Sequence, residues 1–122
     1  MRILIVEDNP DVAETMVEFL KFDGYDVDVA PDGAAALRSM RSALPDLVLC
    51  DLGLPGGMSG LDVARACRGD ATIAGVRMVA VSGYGESDDR KRALDAGFDD
   101  LLVKPVRLDA LSEYVRVSTG TR

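Results

Sequence analysis

The chain has 122 residues, 48% of them apolar, with 14 Lys plus Arg, 21 Asp plus Glu, two cysteines and no histidine. That length suffices for one ordinary domain with its own core, and a net charge of −7 argues against direct binding to nucleic acid or an anionic membrane surface. Without histidine, and with isolated thiols, the chain lacks the groups for Ser-His-Asp or Cys-His catalysis and for a conventional zinc site.

The first apolar run, ILIV at residues 3–6, is too short for a signal peptide or a membrane span and reads as a strand buried on both faces. A cytoplasmic protein is expected. Asn9 followed by Pro10 predicts a helix start, Ala13, Met16, Val17 and Leu20 recur at helical spacing, and Gly24 ends the segment. DVDVA at 26–30 alternates, as an edge strand with one wet face does. Asp32 can cap a second helix with Ala36, Leu37 and Met40 inward. DLVLC at 46–50 is the third strand, and Ser59 with Asp62 forms a capping pair ahead of a helix that places Gly60, Val63, Ala64 and Cys67 on one face. VRMVAVS at 76–82 is the fourth strand. Residues 86–98 form a polar helix, acidic at its start and basic afterwards; the mixed-charge run 86–92 reads as a solvated face, with a partner surface as the alternative. DLLVK at 100–104 is the fifth strand, and Leu108, Leu111 and Val115 mark the last helix. Cys50 and Cys67 both lie in apolar stretches and read as buried, reduced thiols.

Five β/α units predict an α/β fold: a flavodoxin-like, doubly wound, five-stranded parallel sheet with five helices, the whole chain 1–122 forming one domain. Ligands in such folds bind at the carboxyl ends of the strands. Those ends carry Glu7 and Asp8, Asp51, Ser82 and Lys104. In the strand order 2-1-3-4-5, one of the two common orders, Asp51 has Glu7 and Asp8 one strand away and Ser82 one strand away on the other side. Lys104 lies two strands away, roughly 10 Å, a distance that only a long side chain spans. Three carboxylates this close repel one another, and one lysine is insufficient relief; a hard divalent cation such as Mg²⁺ supplies the rest. A carboxylate beside such a cation, a hydroxyl and an ammonium is a site for phosphoryl transfer, with the carboxylate as nucleophile.

Taken together, ILIVEDN, PDLVLCDLGLPG, GLDVARACR, VAVSGYG and ALDAGFDDLLVKP resemble, in order and spacing, the receiver domain of two-component response regulators over essentially the full chain. A chemotaxis receiver exemplifies the 2-1-3-4-5 order, so that order comes with the family. The resemblance implies that Asp51 accepts a phosphoryl group from a phosphohistidine on a sensor histidine kinase or histidine phosphotransfer protein. It implies that Glu7 and Asp8, with Asp51 and the backbone carbonyl of Gly53, hold Mg²⁺, Asp8 being the more direct ligand of the acidic pair. Ser82 and Lys104 would contact the phosphoryl group, and Pro105 would follow a cis bond. The domain would switch conformation to signal to a partner or an attached domain, and would catalyse only its own phosphorylation and dephosphorylation. No effector domain is read in these residues, which fit either a stand-alone regulator or a receiver from a longer protein.

One position departs from the family pattern: Leu101, three residues before the lysine, stands where Tyr or Phe is usual. This puts the usual aromatic readout in doubt, and a receiver-like interaction module that signals without phosphate is the alternative. The resemblance further implies that Tyr84 and Gly53, two residues after Ser82 and Asp51, would tune water access to the phosphoryl group. Other classes fit less well. A flavodoxin-like cofactor binder wants a phosphate loop where EDNPD stands, and a haloacid-dehalogenase-like phosphatase needs a carboxylate where Gly53 stands.

Overall fold

The structure is a computed structural model and describes residues 1–83 and 87–118. Strands and helices alternate: β1 (Arg2–Val6), α1 (Pro10–Phe22), β2 (Asp26–Ala30), α2 (Gly33–Ser42), β3 (Leu47–Asp51), α3 (Gly60–Arg68), β4 (Arg77–Ser82), α4 (Ser87–Ala96), β5 (Asp100–Val103) and α5 (Leu108–Ser118). All strand pairs are parallel and the order is β2-β1-β3-β4-β5, as expected.

Local chemistry sets the helix starts. The Asn9 side chain accepts from the backbone N–H groups of Asp11 and Val12, with Pro10 in the first turn. Asp32 accepts from Ala35 N at 2.8 Å, and Ser59 and Asp62 form a reciprocal capping box. Each satisfies donors that the first helical turn leaves without partners. After α1, Gly24 takes φ +95, a conformation that L side chains rarely adopt.

The sheet buries two faces. One packs Ile3, Ile5, Leu47, Leu49 and Val79 against Met16 and Leu20 of α1 and Leu111 and Val115 of α5. The other packs Leu4, Val6, Val48, Cys50, Met78 and Ala80 under α2, α3 and α4. Successive strand residues point to opposite faces, so two buried faces require the unbroken apolar runs seen in the sequence. The edge strand β2 departs from simple alternation. Val29 is exposed, while Ala30 is buried in the cluster that contains Leu37 and Met40 of α2. Side chains of α2 cover Ala30, while Val29, on the opposite face of this edge strand, is left to solvent.

Candidate functional site

Strand parity builds the site. Ile3, Ile5 and Glu7 continue one face of β1, Leu47, Leu49 and Asp51 the same face of β3, and Leu102 and Lys104 the same face of β5. The three charged groups therefore emerge together where the strands end, on the α1/α5 side. Lys104 Nζ lies 2.7 Å from Asp51 Oδ2 and 3.3 Å from Glu7 Oε1. The long lysine side chain spans the gap from β5, as its length requires. Its backbone N–H donates to Ser82 O at 2.7 Å, and the Lys104–Pro105 bond is cis.

Asp51 is held at both oxygens, since Oδ1 accepts from Gly53 N at 3.0 Å. Glu7 Oε2 accepts from Asn9 N at 3.1 Å. Carboxylate oxygens of Glu7, Asp8 and Asp51 all lie within 4.8 Å of one another. Asp8 is exposed, whereas the Glu7 and Asp51 side chains are only 6% and 12% exposed. Burial and, less strongly, the Asp51 charge push the Glu7 carboxyl up, against the Asn9 N–H and Lys104. Burial draws the Lys104 ammonium down, but its hydrogen bond to Asp51 and the two carboxylate charges outweigh that and raise it. Burial, then the charges of Asp51 and Glu7, push the Cys50 thiol far up, so it is an inert core thiol. Three carboxylates against one ammonium leave two negative charges uncompensated, in a set of hard oxygen donors that suits a divalent cation.

Beside these groups a cleft of about 550 Å³ runs between α1 and the start of α5. Glu7, Asp51 and Lys104 form its polar end, and Val12, Met16 and Val106 its apolar wall.

Ser82 sits elsewhere. Asp51 pairs in register with Val81, so Ser82 shares the opposite face with Met78 and Ala80, beneath α4. It is 3% exposed, and its hydroxyl donates to Asp89 Oδ2 at 3.1 Å. Asp89 lies in the charged run read as a solvated face, yet its side chain is only 16% exposed. The acidic start of a helix predicts a macrodipole partner and says nothing of a serine on the neighbouring strand. Leu101 is buried in the same cluster as Ala93 and Ala96 of α4. Tyr84 lies outside the described residues.

Gly60 is a further contributor that the sequence reading placed only on a packing face. A Cβ there would lie 2.4 Å from the carbonyl oxygen of Asp51 and 2.8 Å from Leu52 Cα. Only glycine lets α3 start this close to the strand that carries Asp51. The available signal was a glycine at the first position of a helix, where most residues have higher helix propensity.

The chain matches the response regulator receiver domain over residues 3–116. It belongs to that family. This receiver domain is 41% identical over 115 residues to the DNA-binding response regulator MtrA of Mycolicibacterium smegmatis, covering 94% of this chain and 49% of that protein. It is 37% identical over 116 residues to the transcriptional regulatory protein KdpE of Mycobacterium tuberculosis, covering 95% and 50%. The chain thus spans about half the length of these relatives. Among solved structures, a putative response regulator from Chloroflexus aurantiacus superposes with a TM-score of 0.90 at 28% identity, covering 98% of this chain and 97% of the other. The chemotaxis protein CheY4 of Vibrio cholerae shares the receiver fold, with a TM-score of 0.90 at 22% identity over 96% and 97% of the two chains. Among the described residues, no helix is long and apolar enough to cross a membrane.

Proposed function

We propose that residues 1–122 form one phosphoacceptor receiver unit of a two-component phosphorelay, with Asp51 taking a phosphoryl group from a phosphohistidine of a sensor histidine kinase or histidine phosphotransfer protein. The observation that carries this reading is the Asp51 carboxylate, 2.7 Å from Lys104 Nζ and clustered with two further carboxylates at an open cleft. Glu7, Asp8 and Asp51, with the backbone carbonyl of Gly53, are the groups that would hold Mg²⁺. When bound, the cation would offset charge on the phosphoryl oxygens, so that one anion can attack another.

The chain's own residues do the rest. The Gly53 N–H orients Asp51 through Oδ1. An Asp51 oxygen forms the new P–O bond as the donor's P–N bond breaks, and the electron pair of that bond returns to the imidazole nitrogen. Lys104, already on Oδ2, shifts its ammonium to a phosphoryl oxygen, and the Ser82 hydroxyl supplies a second donor. Water later cleaves the acyl phosphate. Among the described residues, a Cβ on Gly53 would meet only Asp51 Oδ1, at 3.9 Å. The domain is a switch acting on itself, and turnover of an external substrate forms no part of its role. Output then falls to a partner or an attached segment, as the DNA-binding name of MtrA suggests for its own whole protein. The net charge of −7 sets this acidic region itself against nucleic acid, and a cytoplasmic location belongs to the same reading. Leu101 in place of an aromatic residue favours the phosphate-independent module, but that reading gives the Asp51–Lys104–Glu7 arrangement no task.

Incubation with acetyl phosphate and Mg²⁺, followed by intact mass, tests the proposal. One phosphoryl adduct is expected on the wild type, and none on Asp51→Asn or without Mg²⁺. If neither an adduct forms nor Mg²⁺ or beryllofluoride binds, the phosphate-independent module takes its place.

The raised Glu7 carboxyl also predicts a pH signature in metal-free protein. A carboxyl raised on folding contributes stability that is complete below its unfolded value, ordinarily 4.5, and lost as pH rises through the folded value. Glu7→Gln, which mimics the protonated form, is therefore expected to raise the EDTA-treated melting temperature at pH 7.5. The gain should vanish as pH falls toward 4.5. With Mg²⁺ the sign reverses, because the variant loses a ligand charge. A variant less stable than wild type at pH 7.5 in EDTA would contradict this.

A further inference from the structure

We infer that Asp89 is the residue through which phosphorylation reaches α4, because it and a phosphoryl group on Asp51 compete for the single proton of the Ser82 hydroxyl. The inference rests on the phosphoacceptor reading and adds the route out of the site.

A serine hydroxyl has one hydrogen to donate, and a carboxylate can only accept. In this structure the hydroxyl donates to Asp89 Oδ2, at 3.1 Å, within a nearly closed environment: Ser82 is 3% exposed and the Asp89 side chain 16%. Ser82 ends β4 one residue past Val81, the register partner of Asp51, and although its side chain starts from the opposite face, a phosphoryl group projecting past the strand ends offers it a second acceptor. The hydroxyl cannot serve both. Donating to the phosphoryl oxygen breaks this hydrogen bond between β4 and α4 and leaves the Asp89 carboxylate facing a second anion. Asp89 keeps Arg92, one helical turn on at 3.6 Å. Further along α4, Ala93 and Ala96 stay anchored in the core. The first turn of α4 is thus the part released.

This device needs no aromatic ring. Leu101 already lies buried with Ala93 and Ala96 in the cluster beneath α4. The hydroxyl's choice of acceptor carries the coupling. Asp89 is a positioning residue: it acts through Ser82.

A double-mutant cycle read by beryllofluoride binding in saturating Mg²⁺ tests this. Asp89→Ala removes the competing acceptor and is expected to tighten beryllofluoride binding about 10-fold, the size of one charged hydrogen bond no longer broken. In a Ser82→Ala background the same substitution should change binding by less than about twofold, since no hydroxyl remains to be shared. Asp89→Asn retains an acceptor oxygen without the charge and should fall between wild type and Asp89→Ala. An Asp89→Ala effect of equal size in both backgrounds would mean simple charge repulsion, and no effect in either would mean a bond of no consequence; both overturn the inference. Wild type that binds no beryllofluoride, or an Asp51→Asn variant that binds it equally well, overturns the phosphoacceptor reading and this inference with it. Asp51-dependent binding with a flat cycle overturns the inference alone.

Discussion

Replacing Lys104 with methionine is expected to slow phosphoryl uptake by Asp51 about 10²–10³-fold, the usual cost of losing one oriented donor to a transferring group. Mg²⁺ binding should hold or tighten, and that opposite response is what identifies the role. Lys104 is the cation bonded to both Asp51 and Glu7. Its removal raises the cluster from two uncompensated negative charges to three, which favours a divalent cation while depriving the phosphoryl oxygens of their ammonium. Methionine keeps most of the stem's volume, so packing changes little. In EDTA the variant should lose about 1–3 kcal/mol, below the figure for a fully buried pair because the Lys104 side chain is 32% exposed. Mg²⁺ should restore most of it. The checks are the rate of adduct formation with acetyl phosphate by intact mass, Mg²⁺ titration, and urea unfolding with and without Mg²⁺. Uptake within about threefold of wild type would remove Lys104 from the transfer step.

Replacing Arg68 with alanine should be the most costly change to stability at the far end of the sheet, about 2–4 kcal/mol. The guanidinium joins three segments. Nε donates to Gly97 O at 2.8 Å, Nη1 to Ala74 O at 2.7 Å and also to Val76 O, and Nη2 to Asp99 Oδ2 at 3.0 Å. Asp99 Oδ2 in turn accepts from Met78 N at 2.8 Å, at the start of β4. One planar fork thus ties α3, the segment before β4 and the α4–β5 turn. Gly97 fits under it at φ +120, where a Cβ would lie 2.6 Å from Arg68 Cγ. Truncation leaves three carbonyls and a carboxylate without this donor. Arg68→Lys should recover less than half the loss, since one ammonium cannot reproduce the fork. Urea midpoints at unchanged slope measure the cost. Phosphoryl uptake should survive in the folded variant, because Arg68 sits at the opposite ends of the strands from Asp51. A loss under about 0.5 kcal/mol would show that water replaces the guanidinium at no cost.

These two residues mark the boundary of what the sequence disclosed. Lys104 was legible, because it follows a strand-like run and its length matches two strand spacings. Arg68 was not, since nothing near it names carbonyls 6 to 29 residues away as partners. The caps at Asn9, Asp32 and Ser59 were legible for a different reason from Lys104: their partners lie two or three residues on. Gly60 was visible only as a glycine on a packing face, and no local pattern names the partner of Tyr114, which donates from α5 to Asp100 Oδ2 at 2.8 Å.

By itself the sequence determined the alternation of strands and helices, the two buried faces and the gathering of Glu7, Asp8, Asp51 and Lys104 at one end of the sheet. Each follows from short-range periodicity, capping chemistry and strand parity, which neighbouring residues encode. Tertiary structure alone decided which acceptor holds the Ser82 hydroxyl, how closely α3 approaches Asp51 and what the Arg68 fork binds. Those depend on register between strands and on the seating of helices, and a side chain's partner across such a gap is chosen by packing of the whole, which no local pattern records.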